Sequence, residues 1–314
     1  MAILPPEIQD EWADQIKEKV PGAEVQIFPN AEDALDFIQD ADCAYGDVVP
    51  ELFSRAKNLR WIQSYAASPA PSFWHSQLLA SDVIVTNFRG IYNDYVAAHA
   101  MTFILAFARN LHTYVRQQER SEWKPIKTTI HLPSTTALII GLGGIGQELA
   151  KLCSSLGMQV LGIDLLVKNA QFVNEVYPPE ELDRILPSAD FVIIIVPETP
   201  QTRRMFTFER LQLMKPTSYL INVGRGVVVV LDDMVSALST QKIAGAGLDV
   251  FETEPLPATS PLWKMPNVII TPHIGANPPD PHIPERRTKI LVENARHFSR
   301  GEALLNVVDK NNRF

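Results

Sequence analysis

The sequence predicts an α/β protein built on parallel sheets, and three observations carry that reading. Short, continuous apolar runs recur along the chain and suit strands buried on both faces. Amphipathic segments of helical length separate them, as crossovers between parallel strands require. One run, Ala137-Leu-Ile-Ile140, leads without a break into a glycine-rich loop and then into a helical pattern.

Taken in order, Glu24–Phe28, Asp42–Tyr45, Leu59–Gln63 and Val83–Thr86 read as strands, with helical pieces between them. They make the first ~90 residues a small α/β domain with no phosphate loop of its own. From Tyr95 to about His112 the chain is alanine-rich and free of Gly and Pro, which predicts a buried helix bridging two domains. A second α/β unit opens at Thr136–Ile140 and continues through Val160–Ile163, Phe191–Val196, Tyr219–Val223, Gly245–Asp249 and Val268–Ile270. The tail from Pro284 to about Arg300 has a helical pattern, and Ala303–Val308 is expected to return as a strand to the first domain.

Composition narrows the function. The chain has 314 residues, 46% of them hydrophobic, enough to bury two domain cores. A net charge of -8 with no Lys/Arg run argues against nucleic acid as a partner. Cys43 and Cys153 are far apart and lack metal-ligand spacing, so neither a disulfide framework nor a metal site is expected, and a reducing cytoplasm fits. The segment Met1–Glu7 meets proline and acid after three apolar positions, too short for a signal-peptide core. No run reaches the ~18 apolar residues of a membrane span.

The glycine-rich loop is Gly141-Leu-Gly143-Gly144-Ile145-Gly146, a GxGxxG between strand and helix. In that context Gly141 permits the turn, Gly143 lets backbone amides approach a pyrophosphate, and Gly146 lets helix and strand pack closely. About 18 residues on, the next strand ends at Asp164, whose carboxylate suits ribose hydroxyls and repels a 2′-phosphate. The expected cofactor is therefore NAD, ahead of NADP.

Three further strand ends carry polar residues: Asn222-Val223-Gly224-Arg225-Gly226, Leu248-Asp249 through Glu254-Pro255, and Thr271-Pro-His273-Ile-Gly275. Ligands of open α/β sheets bind beyond the carboxyl ends of the strands, so these three segments are candidates to converge. Reducing a 2-oxo acid needs a cation for the carboxylate, a proton donor for the carbonyl oxygen and a hydride source. Arg225 supplies a planar fork, His273 a proton, and Glu254 a carboxylate to orient the imidazole.

Over nearly its whole length the chain resembles the D-isomer-specific 2-hydroxyacid dehydrogenase family. The resemblance rests on the order Gly-rich loop, Asn-x-x-Arg-Gly, Asp-Val-x-x-x-Glu-Pro and Pro-His-x-Gly. It implies two Rossmann-like or flavodoxin-like domains, with a nucleotide-binding domain (97–275) inserted in a discontinuous substrate domain (1–96 and 276–314). Arg225, Glu254 and His273 become the catalytic set, Asp249 a neighbour of the nicotinamide carboxamide, and Val196, Pro197 and Thr199 the cofactor's wall, with Val223 and Gly224 beside it. A small 2-oxo or 2-hydroxy acid substrate and a homodimer formed partly through the bridging helix follow from the same resemblance.

The chain also departs from its relatives. Many carry a glycine-rich loop whose amides hold the substrate carboxylate; here the aligned segment is Ser64-Tyr65-Ala66-Ala67-Ser68-Pro69, with Ala66, Ala67 and Ser68 as candidate contacts. Relatives often carry Glu at Ala98, and His99 beside it reads as a satisfied core residue. The stretch from Ala276 to Pro284 is proline-rich and should be stiff where relatives begin a helix. His282 and His75 read as solvent-facing, and Tyr65, Phe73 and Trp74 as core packing rather than a pocket lining. Alternative functions are a phosphite or formate dehydrogenase of the same fold, and a non-catalytic NAD(H)-sensing scaffold like the corepressors that share it. The formate branch carries Gln where this chain has Glu254, and the complete Arg/Glu/His set favours chemistry over sensing.

Overall fold

The computed structural model describes residues 1–67, 69–276 and 282–310. The chain divides into two compact units, Met1–Ile91 with Pro279–Phe314, and Tyr92–Pro278.

In the first unit β1 (Ala2–Ile3), β2 (Gln26–Ile27), β3 (Cys43–Tyr45), β4 (Trp61–Gln63) and β5 (Ile84–Thr86) form one sheet in the order β2-β1-β3-β4-β5. All its pairings are parallel, and the order is that of flavodoxin-like sheets. Helices α1 (Trp12–Lys19), α2 (Pro50–Arg55) and α3 (Ser76–Leu79) lie in the crossovers. Four of the five strands coincide with expected runs. The two-residue β1 was not anticipated, because a segment that short has no periodicity to read.

The second unit is a seven-stranded parallel sheet of β6 (Thr136–Ile140), β7 (Gln159–Ile163), β8 (Glu175–Tyr177), β9 (Phe191–Ile194), β10 (Tyr219–Asn222), β11 (Gly245–Leu248) and β12 (Val268–Ile270). Their order, β12-β11-β10-β9-β6-β7-β8, is the doubly wound arrangement, reversing direction at β6 and β9. Its helices are α4 (Asn93–Ala108), α5 (Leu111–Glu119), α6 (Gly144–Ser155), α7 (Leu182–Ile185), α8 (Phe208–Leu211) and α9 (Leu231–Ser239). Here β8 is the unforeseen strand; its residues Glu175-Val-Tyr are only partly covered at the sheet edge, so no apolar run marks them.

The helix expected from Tyr95 to about His112 is two helices. Asn110 takes a left-handed conformation at φ 57°, which ends α4 and starts α5, a conformation Asn tolerates better than most residues. Phe107 of α4 stacks on Tyr219 of β10 at 4.5 Å, and Tyr219 stacks in turn on Phe191 of β9, so α4 is seated on the face of the sheet. Separate apolar clusters fill the two faces, one including Leu138, Val192, Leu220 and Met234, the other Ile139, Ile193, Ile221 and Phe103. The alternation along β6, β9 and β10 explains why those strands read as unbroken apolar runs.

Helix α10 (His282–Arg300) and the segment after it belong to the first unit. The strand expected over Ala303–Val308 is reduced to one antiparallel bridge, Thr86 to Val307, with Val308 N donating to Val85 O at 2.8 Å. Asn294, fully buried, secures this return: its side chain donates to Gln63 Oε1 at 3.1 Å and Leu305 O at 3.2 Å, and accepts from Leu305 N at 2.7 Å. Tyr65, Phe73 and Trp74 pack edge to face in this unit's core, with Phe73 and Trp74 buried, as expected. His75, by contrast, is not a solvent-facing residue. Its Nδ1 caps α3 by accepting from Leu78 N, and Nε2 is 3.1 Å from Val48 O. His282 is exposed and faces Glu285 at 3.7 Å. The stiffness expected of the proline-rich stretch falls mainly on residues 277–281, which lie outside the described residues. Among the described residues, no helix is long and apolar enough to cross a membrane.

Replacing Asn294 with Leu should strand both polar groups of the Leu305 peptide, while Gln63 keeps Thr86 Oγ1 as a donor to its Oε1 at 2.8 Å, and cost about 2–4 kcal/mol, at 1–3 kcal/mol per stranded buried group. Urea unfolding of the variant would measure it. A loss below ~0.5 kcal/mol would show that the return is held by other contacts.

Candidate active site

All seven strands of the second sheet point their carboxyl ends to one edge, and the candidate residues sit in the loops that leave it. At the end of β6, Gly141 turns at φ 101° into α6, whose N-cap is Gly143. No side chain caps this helix, so its first-turn amides, those of Gly144, Ile145 and Gly146, are left to an outside acceptor. A Cβ built on Gly143 meets nothing within 4 Å, whereas one on Gly146 would overlap the Gly141 carbonyl oxygen. The loop is thus open above Gly143 and closed beneath Gly146, the shape a pyrophosphate cradle needs. These residues fit a dinucleotide.

Asp164, at the end of β7, turns its carboxylate onto this loop. Oδ2 accepts from Leu142 N at 2.7 Å, and Oδ1 from the Leu166 and Val167 amides at 2.8 Å each. The sequence suggested a ribose ligand; the structure gives the residue a second task, joining the β6 and β7 loops. Beyond β9, the turn carrying Val196, Pro197 and Thr199 is braced by Thr202, whose hydroxyl donates to Pro197 O at 2.6 Å and accepts from Thr199 N at 2.8 Å. Gly224 lies against this turn, where a Cβ would come within 2.9 Å of Val196 O.

The Asn-x-x-Arg-Gly segment is built by its first residue. Buried Asn222 accepts from Gly224 N and donates to Arg225 O, both at 3.1 Å, and so fixes the turn that follows the buried Val223 and presents Arg225. Gly226 then crosses the Phe251 backbone so closely that any Cβ would overlap the Phe251 carbonyl. That crossing brings the loop after β10 against the loop after β11, which carries Glu254. Burial lowers the pKa of Arg225, while the Glu254 and Glu198 carboxylates oppose the shift.

Glu254 Oε1 accepts from Phe251 N at 2.9 Å, and Oε2 lies 2.7 Å from His273 Nδ1. Because a carboxylate only accepts, Nδ1 carries the hydrogen, leaving Nε2 as the nitrogen able to exchange a proton. His273 adopts φ 53°, a left-handed conformation costing ~1–2 kcal/mol for a residue with a Cβ. Its amide donates to Asp249 O at 2.8 Å.

Asp249 is 2% exposed. Burial alone would raise its pKa, but hydrogen bonds from His99, Thr271 and the Ile274 and Gly275 amides outweigh that and hold the carboxyl at about 2. The relevant distances are 2.6 Å from Thr271 Oγ1 and 3.0 Å from each of the two amides. His99 Nε2 is 3.0 Å from Thr271 Oγ1 and 3.2 Å from Asp249 Oδ1. The structure therefore brings Arg225, Glu254 and His273 together and adds Asn222, Thr271 and His99, which sequence reading did not assign to the site. Asn222 and Thr271 lie inside the recognised motifs, and only their side-chain partners reveal a role; His99 lies on a distant helix.

The family model "D-isomer specific 2-hydroxyacid dehydrogenase, NAD binding domain" matches residues 101–275. The chain belongs to the D-isomer specific 2-hydroxyacid dehydrogenase family. It is 34% identical to a glyoxylate reductase of Pyrococcus furiosus over 271 residues, spanning 83% of this chain and 79% of that one. A D-isomer specific 2-hydroxyacid dehydrogenase from Xanthobacter autotrophicus, solved with NADPH and MES, superposes with a TM-score of 0.84 at 28% identity, covering 100% of this chain and 99% of the other. A D-lactate dehydrogenase from Aquifex aeolicus, solved with NAD and lactic acid, gives 0.73 at 25% identity over 96% of each chain. The protein is a 2-hydroxyacid dehydrogenase that uses NAD(P).

Ala66 and Ala67 belong to the first unit. The Ala66 amide is already engaged, donating to Ser64 Oγ at 3.2 Å, and Ala67 O accepts from Asn87 Nδ2 at 2.8 Å. Ser68 lies outside the described residues.

Asp249 has a folded pKa of about 2 against an ordinary 3.8. It therefore contributes stability that is full above the unfolded pKa and lost as pH falls toward 2. At 1.36 kcal/mol per unit the contribution is roughly 2 kcal/mol. Urea titrations from pH 5 to 2 should show wild type losing roughly 2 kcal/mol more stability than Asp249→Asn over that range; equal losses would refute the assignment.

Proposed function

We propose that the dehydrogenase is an NAD(H)-dependent reductase of a small 2-oxo acid, working through Arg225, Glu254 and His273. The observation that carries this reading is the His273–Glu254 pair, which holds one imidazole nitrogen and leaves the other available, with the half-buried Arg225 presented by the loop after β10 and its charge felt by Glu254. The bound dinucleotide supplies the hydride that separates a 2-oxo from a 2-hydroxy acid. Arg225 holds the substrate carboxylate or polarises its carbonyl through charge-assisted hydrogen bonds. His273 gives its Nε2 proton to the oxygen at C2 during reduction and takes it back during oxidation. Glu254 keeps the ring oriented through both directions.

The GxGxxG loop and α6 hold the pyrophosphate, Val196, Pro197, Thr199, Val223 and Gly224 line the cofactor's wall, and Asp249 stands at the nicotinamide end. Asp164 favours NAD over NADP, because its carboxylate would face a 2′-phosphate and the one nearby cation in the loop, Lys168, is turned to Leu165 O at 3.0 Å. Glyoxylate is the first substrate to test, by the name of the Pyrococcus relative, with the family's D configuration as the expected product stereochemistry for larger acids. Ala66, Ala67 and Ser68 are proposed to meet the substrate. The exposed apolar residues Leu105, Leu111, Val115 and Trp123 on and after α4 and α5 support a homodimer formed through that surface.

Purified protein with NADH should reduce glyoxylate or hydroxypyruvate at 340 nm, and His273→Ala and Arg225→Ala should each lower kcat/KM at least ~100-fold. Near-wild-type rates in either variant would refute its role. NADPH should be used at least ~10-fold less efficiently; equal use would remove the part given to Asp164. In sedimentation, Val115→Glu should shift a dimer toward monomer, and a wild-type monomer would dispose of the dimer.

A further inference from the structure

We propose that His99 is a positioning residue for His273, acting through the buried carboxylate of Asp249. The inference rests on the catalytic reading of His273 given above. On α4, whose core face carries Val96, Ala97, Ala100 and Phe103, one partly buried position is a histidine whose side chain is 19% exposed.

Its bonding explains why an apolar residue would not serve. Thr271 Oγ1 donates its single proton to Asp249 Oδ1 at 2.6 Å, so the same oxygen can only accept from His99 Nε2, 3.0 Å away. The Asp249 carboxylate also only accepts, and lies 3.2 Å from the same nitrogen. The Nε2 hydrogen therefore points at the Thr271–Asp249 pair and closes a three-membered network. Edge contact with Phe103, ring centroids 5.0 Å apart, holds the imidazole in that orientation.

Asp249 passes this constraint on. Its carboxylate accepts from the Ile274 and Gly275 amides, and its carbonyl accepts from the His273 amide. Thr271, His273, Ile274 and Gly275 thus all hang from one residue, and His273 sits among them in its left-handed conformation. A Cβ at Gly275 would lie 3.1 Å from Asp249 Oδ2 and 3.2 Å from His99 Cδ2, so the segment rests directly on the His99–Asp249 pair. Without the His99 donor, Thr271 Oγ1 and Asp249 Oδ1 each lose a partner while their mutual bond and the two amide bonds remain, so the acceptor that holds the segment is less tightly fixed and the turn that aims His273 at Glu254 relaxes. His99 touches none of the reacting atoms in this scheme.

The test compares His99→Leu, which keeps apolar bulk without a donor, with His99→Gln, which returns an N–H. Three readouts are taken: kcat with glyoxylate, NADH affinity by fluorescence, and the His273 Nδ1–H resonance in the protein without cofactor. His99→Leu should lower kcat about tenfold or more, as misplacement of a reacting group does, with NADH affinity within about twofold and the resonance broadened or lost; His99→Gln should recover most of kcat and the resonance. Thr271→Val breaks the same network at nearly constant volume and should reproduce the effect if His99→Leu does not fold. The inference is overturned if kcat and the resonance stay as in wild type in His99→Leu or Thr271→Val, or if kcat falls without any change at His273 and His99→Gln gives no recovery. His273→Ala, run alongside, separates the two readings: full activity there defeats the catalytic role, while the resonance still decides the positioning role.

Discussion

Parallel strands cannot be joined by hairpins, and most of what the molecule does follows from that constraint. Every pairing in both sheets is parallel, so each connection must cross a face of its sheet and return to the starting edge. The crossovers cover both faces, which forces the strand interiors to be apolar. The outgoing loops are left as the places where polar chemistry can gather. Gly141, Val196, Arg225, Asp249 and His273 come from five such loops of one sheet.

Gathering loops is not enough to align them, and here close backbone approach does the work. Gly226 against Phe251 and Gly224 against Val196 bring neighbouring loops nearer than any side chain would allow. Hydrogen bonds to buried and half-buried polar residues then set the angles. Asn222 shapes the Arg225 turn, Asp164 joins the first two loops, and Asp249 carries the His273 segment. A carboxylate as buried as Asp249 is tolerable only when surrounded by donors, so its own desolvation demands the arrangement that positions the histidine.

Asymmetry between the units matters as well. The second sheet has two filled faces and ladders of three to five residues. Strands of the first are two or three residues long, and its order depends on the buried Gln63–Asn294–Leu305 network and the single bridge at Val307.

Six of the seven strands of the larger sheet, the phosphate loop and the Arg225, Glu254 and His273 motifs were legible in the sequence, because each depends on local information: an apolar run, a glycine at a turn, a polar residue at a strand end. The edge strand β8, the two-residue β1 and the break at Asn110 were not, since short or half-exposed elements are fixed by their neighbours rather than by their own pattern. The same reason hid the wider site. The sequence by itself determined which residue types were available and the class of reaction they serve. Only the tertiary structure decided that His75 meets the Val48 carbonyl, that Asp164 ties two loops and that His99 meets Asp249, because each of these depends on a polar contact between residues that the chain brings together only on folding.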